Sequence, residues 1–215
     1  MTDDVLADQV RYYRRRAGEY DETAYGDLTP ARERIDRLVA LMHPTGKVLE
    51  IACGTGMWTG AIARVAGTVT AIDTAPEAID IARARTMSTK ITFEVADVFS
   101  WTTSTKFDVV FFAAWLSHVP TSRLEQFWQL VRHLLVVDGR ALFVDEHLDE
   151  REKESYVAGR DEIVERRIRD GETFRIVKNF VDPRRLEDYL REAGWDCDVR
   201  RDGIDWIIGE ASPTT

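Results

Sequence analysis

Apolar residues recur in two rhythms along this chain. In the opening segment Leu6, Val10, Tyr13, Ala17 and Tyr20 fall at spacings of four, three, four and three, which puts them on one face of a helix. A second helix is predicted from Ala31 to Met42, begun near Thr29-Pro30 because proline suits a first helical turn, and stopped before His43-Pro44. From Lys47 the rhythm changes to short apolar runs. Val48-Leu49-Glu50-Ile51, Val69-Thr70-Ala71-Ile72, Ile91-Thr92-Phe93-Glu94-Val95, Val109-Val110-Phe111-Phe112 and Ala141-Leu142-Phe143-Val144 read as five strands. Met57 to Val65, Pro76 to Arg85 and Arg123 to Val136 read as helices between them, the last with Leu124, Phe127, Trp128, Val131, Leu134 and Leu135 on a shared face. Regular alternation of strand and helix predicts a parallel sheet covered by helices on both sides.

After Val144 the alternation breaks. Residues 149 to 170 are dense in charge, with Tyr156, Val157, Ile163, Val164 and Ile168 as apolar anchors, and are expected to form one or two exposed helices. Asp182-Pro183 starts a short helix carrying Leu186, Tyr189 and Leu190 and ending at Gly194. Two last strands, about Trp195 to Arg200 and Asp205 to Ala211, are joined by the turn residues Asp202-Gly203. They predict an antiparallel hairpin closing the parallel sheet.

Composition bounds the function. At 215 residues, with 44% hydrophobic and 31% charged, the chain suits one globular domain that needs no staples. The longest apolar run, Val109 to Leu116, is far short of the roughly 18 residues of a membrane span. Acids at Asp3 and Asp4 stand where a signal peptide needs basic residues, so a cytoplasmic location is expected, with no membrane partner. Cys53 and Cys197 are too few for a disulfide framework or a four-cysteine zinc site. A net charge of −9 argues against binding a phosphate backbone, although Arg14-Arg15-Arg16, Arg166-Arg167 and Arg200-Arg201 offer local basic spots. No nucleic-acid partner is expected.

The sharpest chemical signal is Val48-Leu49-Glu50-Ile51-Ala52-Cys53-Gly54-Thr55-Gly56-Met57-Trp58, a strand running through a glycine-rich turn into a helix. Glycines there permit positive φ and let a ligand lie against the backbone. The nicotinamide pattern G-x-G-x-x-G fails at Thr59, and no Gly-Lys-Ser/Thr follows for a phosphate loop. Asp73, at the tip of the second strand, can accept two hydrogen bonds from a ribose diol. Ala96-Asp97-Val98-Phe99 follows the third strand, an acid and apolar neighbours able to meet an adenine ring at edge and face.

Together Glu50-x-Ala52-Cys53-Gly54-Thr55-Gly56, Asp73, Asp97-Val98 and the late hairpin resemble the class I S-adenosylmethionine-dependent methyltransferases, from about Tyr12 to the end of the chain. The resemblance implies an α/β, Rossmann-like doubly wound fold with a mostly parallel seven-stranded sheet in a single domain over 1–215. It also implies S-adenosylmethionine as cofactor. Ala52, Gly54 and Gly56 would wrap its methionine portion, Asp73 its ribose, and Asp97 with Val98 its adenine. Glu50, Trp58 and Ala113 complete the implied set. Tyr13-x-x-x-Ala17-x-x-Tyr20-Asp21 is similar to the N-terminal cap of small-molecule members, where an aromatic side chain covers the cofactor; residues 1–42 would form that cap. Two departures stand out: Ala52 replaces the usual first glycine, and Val137-Asp138-Gly139 replaces Pro-Gly-Gly before the fifth strand.

Methyl transfer to a hydroxyl needs alignment and a base. Of four histidines, His43 and His133 read as structural or solvated, while His118 and His147 follow the fourth and fifth strands at the ligand edge. Either could be the base or a satisfied hydrogen-bonding neighbour of the pocket; Asp145 and Glu146 are the acidic candidates beside them. Phe112-Ala113-Ala114-Trp115 is not the Asn/Asp-Pro-Pro-aromatic motif of nucleobase amine methylation. The whole chain resembles small actinobacterial O-methyltransferases, including methylmannoside O-methyltransferases, which implies a saccharide acceptor. Asp145-Glu146-His147 would then either bind magnesium or hydrogen-bond the sugar without metal. Residues 149–180 are expected to form a mobile or dimer-supported lid, hence a homodimer. An RNA methyltransferase and a cofactor-binding protein without activity remain the alternatives.

Overall fold

A computed structural model describes residues 2–214, so Met1 and Thr215, the ends of the expected 1–215 unit, lie outside the described residues. Seven strands form one sheet in the order β3-β2-β1-β4-β5-β9-β8: β1 Lys47–Ile51, β2 Thr68–Asp73, β3 Ile91–Val95, β4 Phe107–Ala113, β5 Leu135–Glu146, β8 Trp195–Asp202 and β9 Trp206–Pro213. The first five run parallel, and β9 pairs antiparallel with both β5 and β8. This is the Rossmann-like sheet that the resemblance implied.

Strand periodicity explains the layers. In β4, Val110 and Phe112 pack with Phe127, Trp128 and Val131 of helix α6 (Leu124–Leu134) and with Leu186 and Leu190 of α7 (Pro183–Glu192). Val109 and Phe111 point the other way, toward α3 (Leu28–Met42), α4 (Thr59–Val65) and α5 (Pro76–Arg85). Alternate side chains of a strand face opposite sides, so an unbroken apolar run is what a sheet buried on both faces requires. Asp27 caps α3 by accepting from Thr29 N, which starts that helix earlier than the proline alone indicated.

Three expectations are corrected. The opening apolar face does not continue as one helix to Tyr20: α1 (Thr2–Arg16) gives way to a 3-10 turn at Ala17–Glu19 and a short α2 (Tyr20–Tyr25). Val137-Asp138-Gly139 lies inside β5, where Asp138 adopts φ +64° and the β4–β5 register shifts. Residues 149 to 170 do not form the one or two exposed helices expected. Leu148–Lys153 is a 3-10 turn, and β6 (Ile163–Arg167) pairs antiparallel with β7 (Thr173–Val177) in a separate two-stranded sheet. A lone hairpin is marginal in water. This one is held by α1, since Tyr12 joins Val164, Ile168, Phe174 and Ile176 in a small core of their own. Among the described residues no helix is long and apolar enough to cross a membrane.

Candidate active site

The strand order reverses between β1 and β4, and such a switch point leaves a crevice beyond the C-terminal strand ends. There β1 ends in a loop with positive φ at Ala52 (+55°), Gly54 (+54°) and Gly56 (+80°). Gly54 N donates to Asp73 Oδ2 at 2.9 Å and Ala75 N to Asp73 Oδ1 at 2.8 Å, so this one carboxylate ties the glycine loop to the start of α5. Burial raises the pKa of Asp73. Gly56 serves packing: a Cβ there would stand 2.9 Å from the Ala82 Cβ of α5. Asp21 of α2 accepts from Thr55 Oγ1 at 2.5 Å and pairs with Arg85, whose Nη1 also donates to the Thr55 carbonyl at 2.8 Å. The cap segment is thereby fastened to the loop.

A cavity lies over these strand ends. Its floor is Ala52, Gly54 and Asp73, continuing through Asp97, Val98 and Phe99 after β3 and Ala113, Ala114 and Trp115 after β4. Its roof is α1, through Leu6, Gln9, Val10 and Tyr13, followed by Ala17 and Tyr20. His118 and Arg123 close one side, with the Arg123 guanidinium 3.8 Å over the Phe99 ring. Of the residues singled out from sequence, Tyr13, Tyr20, Ala52, Gly54, Asp73, Asp97, Val98, Ala113 and His118 thus meet around one space.

Others sit elsewhere. Trp58 packs against Phe111 and Trp206 at 5.4 and 5.9 Å between ring centroids, as core. Glu50 is 2% exposed, its Oε2 has no protein partner, and burial pushes its pKa up to about 8. Asp145 accepts from Ser117 N at 3.0 Å and from Glu146 N at 2.8 Å, tying β5 to the loop after β4. Glu146 pairs at 2.7 Å with the buried Lys178, which also donates to Ser117 Oγ at 3.1 Å. His147 Nδ1 accepts from Asp149 N at 3.2 Å and caps the turn at Leu148–Lys153. Asp145 and Glu146 therefore meet at Ser117 and Lys178, while His147 turns away to Asp149. Among the described residues no group of three or more His, Cys, Asp or Glu side chains is placed to hold a metal ion, so the magnesium expectation has no ligand set.

His118 is different. It lies in the 3-10 turn Leu116–His118, buried, with Nδ1 2.7 Å from the Val177 carbonyl and Nε2 2.8 Å from the Tyr13 hydroxyl. A carbonyl only accepts, so Nδ1 carries the proton and the Nε2 lone pair receives the Tyr13 O–H. Burial, reinforced by the charge of Lys178, holds the His118 pKa well below the ordinary histidine range. Burial pushes the Tyr13 phenol well up. Both groups are neutral at pH 7. Sequence reasoning missed Gln9, Thr55, Arg123 and Lys178. Only Gln9 carried a signal, as a polar residue beside the apolar positions 6, 10 and 13 of one helix face.

A family model described as a methyltransferase domain matches residues 48–139, the segment from β1 into β5. The ubiquinone biosynthesis O-methyltransferase of Xanthomonas campestris pv. campestris (strain B100) is 36% identical over 98 residues, 43% of this chain and 40% of the relative. The chain spans about two fifths of the length of such curated relatives. The solved complex of DhpI with S-adenosylhomocysteine is 34% identical, with a TM-score of 0.85, covering 100% of this chain and 99% of that one. This chain belongs to the class I S-adenosylmethionine-dependent methyltransferases. A second DhpI structure, a complex with S-adenosylmethionine and HEP, is 35% identical at a TM-score of 0.86, covering 98% of each chain.

The methyltransferase cavity fits that cofactor on its own geometry. Asp73 Oδ2 accepts from Gly54 N and Oδ1 from Ala75 N, and the carboxylate keeps capacity to accept from a diol. A Cβ on Gly54 would meet no atom within 4 Å, so positive φ and open space, and no crowding by protein, make glycine suitable there. Asp97 and Val98, the pair expected at the adenine, line the same cavity.

Proposed function

We propose that this methyltransferase methylates a hydroxyl of a small molecule, with a saccharide as the acceptor class. The observation that carries the reading is the Tyr13–His118 pair in the cavity wall, a neutral imidazole lone pair reached through a phenol. S-adenosylmethionine, when bound, supplies a methyl group already activated on a sulfonium. As the acceptor oxygen takes that methyl and the sulfur leaves as a neutral thioether, Tyr13 Oη would accept the hydroxyl proton and pass its own proton to His118 Nε2. His118 becomes imidazolium with Nδ1–H still held by Val177 O. No buried donor is orphaned by the transfer.

Tyr13, Tyr20 and Trp115 line the same space and offer the flat apolar faces on which sugar C–H edges pack. The O-methyltransferase name of the curated relative supports transfer to oxygen. The DhpI complex with two small molecules supports a small acceptor. The test is transfer of labelled methyl from S-adenosylmethionine to a panel of mono- and disaccharides, phenols and RNA. Label in a saccharide is the expected result. Label in RNA alone overturns the reading, and cofactor binding without any transfer leaves a binding protein.

A further inference from the structure

Gln9 stands in a three-residue ring of hydrogen bonds, of which the proton relay itself uses only the bond from His118 to Val177. Its Nε2 donates to the His118 carbonyl at 3.2 Å, and its Oε1 accepts from Val177 N at 2.9 Å. Val177 O in turn accepts from His118 Nδ1 at 2.7 Å. The amide orientation is forced, because a carbonyl cannot donate and a backbone N–H cannot accept. Three elements distant in sequence, α1, the turn after β4, and β7, close on one another through this ring. Gln9 is 6% exposed on the helix face that carries Leu6, Val10 and Tyr13, where an unbridged amide would be costly.

The ring bears directly on the imidazole. The position of Val177 O decides which ring nitrogen holds the proton, and Gln9 fixes that carbonyl by holding the N–H of the same residue. Gln9 also holds the histidine's own backbone. Tyr13 lies four positions on, one turn along the same helix, so one rigid element carries both the group that fixes the tautomer and the group that meets the lone pair. We propose that Gln9 is a positioning residue that fixes His118 in the Nδ1–H tautomer and so presents the Nε2 lone pair to Tyr13. The assignment rests on the reading of His118 as the base. It adds a requirement: α1 must be seated on β7 before the base exists in its working form.

The ring also draws on its surroundings. Asn179 N donates to Ser117 O at 2.7 Å and Asn179 Nδ2 to Val119 O at 3.0 Å, so the residues after β7 hold the 116–119 turn independently of Gln9. Loss of the amide should therefore leave the turn in place while releasing the proton preference. The titratable groups facing His118 are Tyr13 from α1, Lys178 after β7, Arg166 from β6 and Arg16 at the end of α1, and Gln9→Met alters none of them.

The test is long-range proton–nitrogen correlation NMR on the full chain labelled in histidine, with the His118 signals assigned by their loss in His118→Asn. The parent is expected to show a single Nδ1–H tautomer at His118. Gln9→Met is expected to show a mixture of tautomers and a titration no higher than the parent's, because burial is unchanged and the Val177 carbonyl bond that favours the protonated ring is loosened. Its kcat should fall about tenfold or more, as expected when a base sits in the wrong tautomer, while the cofactor dissociation constant stays within about twofold. Gln9→Glu restores the bridge only when its carboxyl is protonated, so the parent signature should return as pH falls, which also covers a poorly folding Gln9→Met. An unchanged single tautomer in Gln9→Met, or no return in Gln9→Glu, overturns the assignment. Unchanged kcat in His118→Asn overturns the base itself and the assignment with it, an outcome separate from any tautomer result.

Discussion

Tyr13 and His118, 105 positions apart, meet at 2.8 Å between a phenol oxygen and an imidazole lone pair inside the cavity wall. Either partner alone would be a poor base: the phenol is too weakly acidic to ionise, and the imidazole is too buried to touch solvent. In the relay proposed above they act in series, the hydroxyl receiving what the ring nitrogen finally holds.

That pairing sets the first prediction. His118→Ala and Tyr13→Phe should each lower kcat by roughly 10²–10⁴-fold with S-adenosylhomocysteine affinity nearly unchanged. Because the His118 pKa is lowered, the base stays neutral as pH falls through 6.5, and kcat/KM should remain flat there. The unfolded chain takes up that proton first, so the contribution of His118 to stability is complete above 6.5 and declines below it. A kcat/KM profile bending near pH 6.5 would count against the buried base.

Asp73 carries two loads. Asp73→Ala removes the diol acceptor and frees Gly54 N, and cofactor affinity measured by calorimetry should weaken by about 1–3 kcal/mol. Asp73→Asn keeps the shape but sets an NH2 opposite one of the two backbone donors, so it should not recover the parent affinity. Parent-like binding in both variants would remove Asp73 from the cofactor site.

Glu50 predicts an unusual pH dependence for the ligand-free protein. Its folded pKa of about 8 lies above the ordinary 4.5, so the native state holds a proton that the unfolded chain releases between those values. Its contribution is present below 4.5 and lost as pH rises through 8. Glu50→Gln, which keeps the neutral shape, should be the more stable protein at pH 8 by on the order of a few kcal/mol, and nearly equal to the parent at pH 4.5. Urea titrations at the two pH values check this.

Gly209 faces Phe143 across the β5–β9 ladder, and an added Cβ would fall 2.0 Å from that ring. Phe143 stacks on Phe112 at 5.4 Å and has little room to yield. Gly209→Ala should cost about 1–3 kcal/mol, seen as a lower urea midpoint at constant slope. An unchanged midpoint would mean the ring can swing aside.

The parallel sheet was legible because its strands are continuous apolar runs punctuated by helices, and β3 runs from Ile91 to Val95 as its pattern indicated. The glycine loop, Asp73 and Asp97 were legible because each occupies a short stretch at a strand tip. The insertion misled because β6 is charged on most positions, with Val164 its one fully buried side chain, so its few apolar residues imitate a helical stripe. The turn between β6 and β7 contains Asp170-Gly171, followed by the alternating Thr173-Phe174-Arg175-Ile176-Val177, which was the available sign of a hairpin. Lys178 had no local signature and Gln9 only that of a polar residue on an apolar face, since their meaning comes from partners 32 to 168 positions away.

The distance between Gln9 and Val177 has a consequence in time. A chain made from its N-terminus can pair β1 through β4 and shape the glycine loop while residue 177 has yet to be joined. During that interval the imidazole of His118 has no carbonyl to give its proton to, and Gln9 has no amide to accept from. The two halves of the chemistry thus mature in order: the surface that recognises the methyl donor first, the group that collects the acceptor's proton only when the insertion hairpin settles against the first helix.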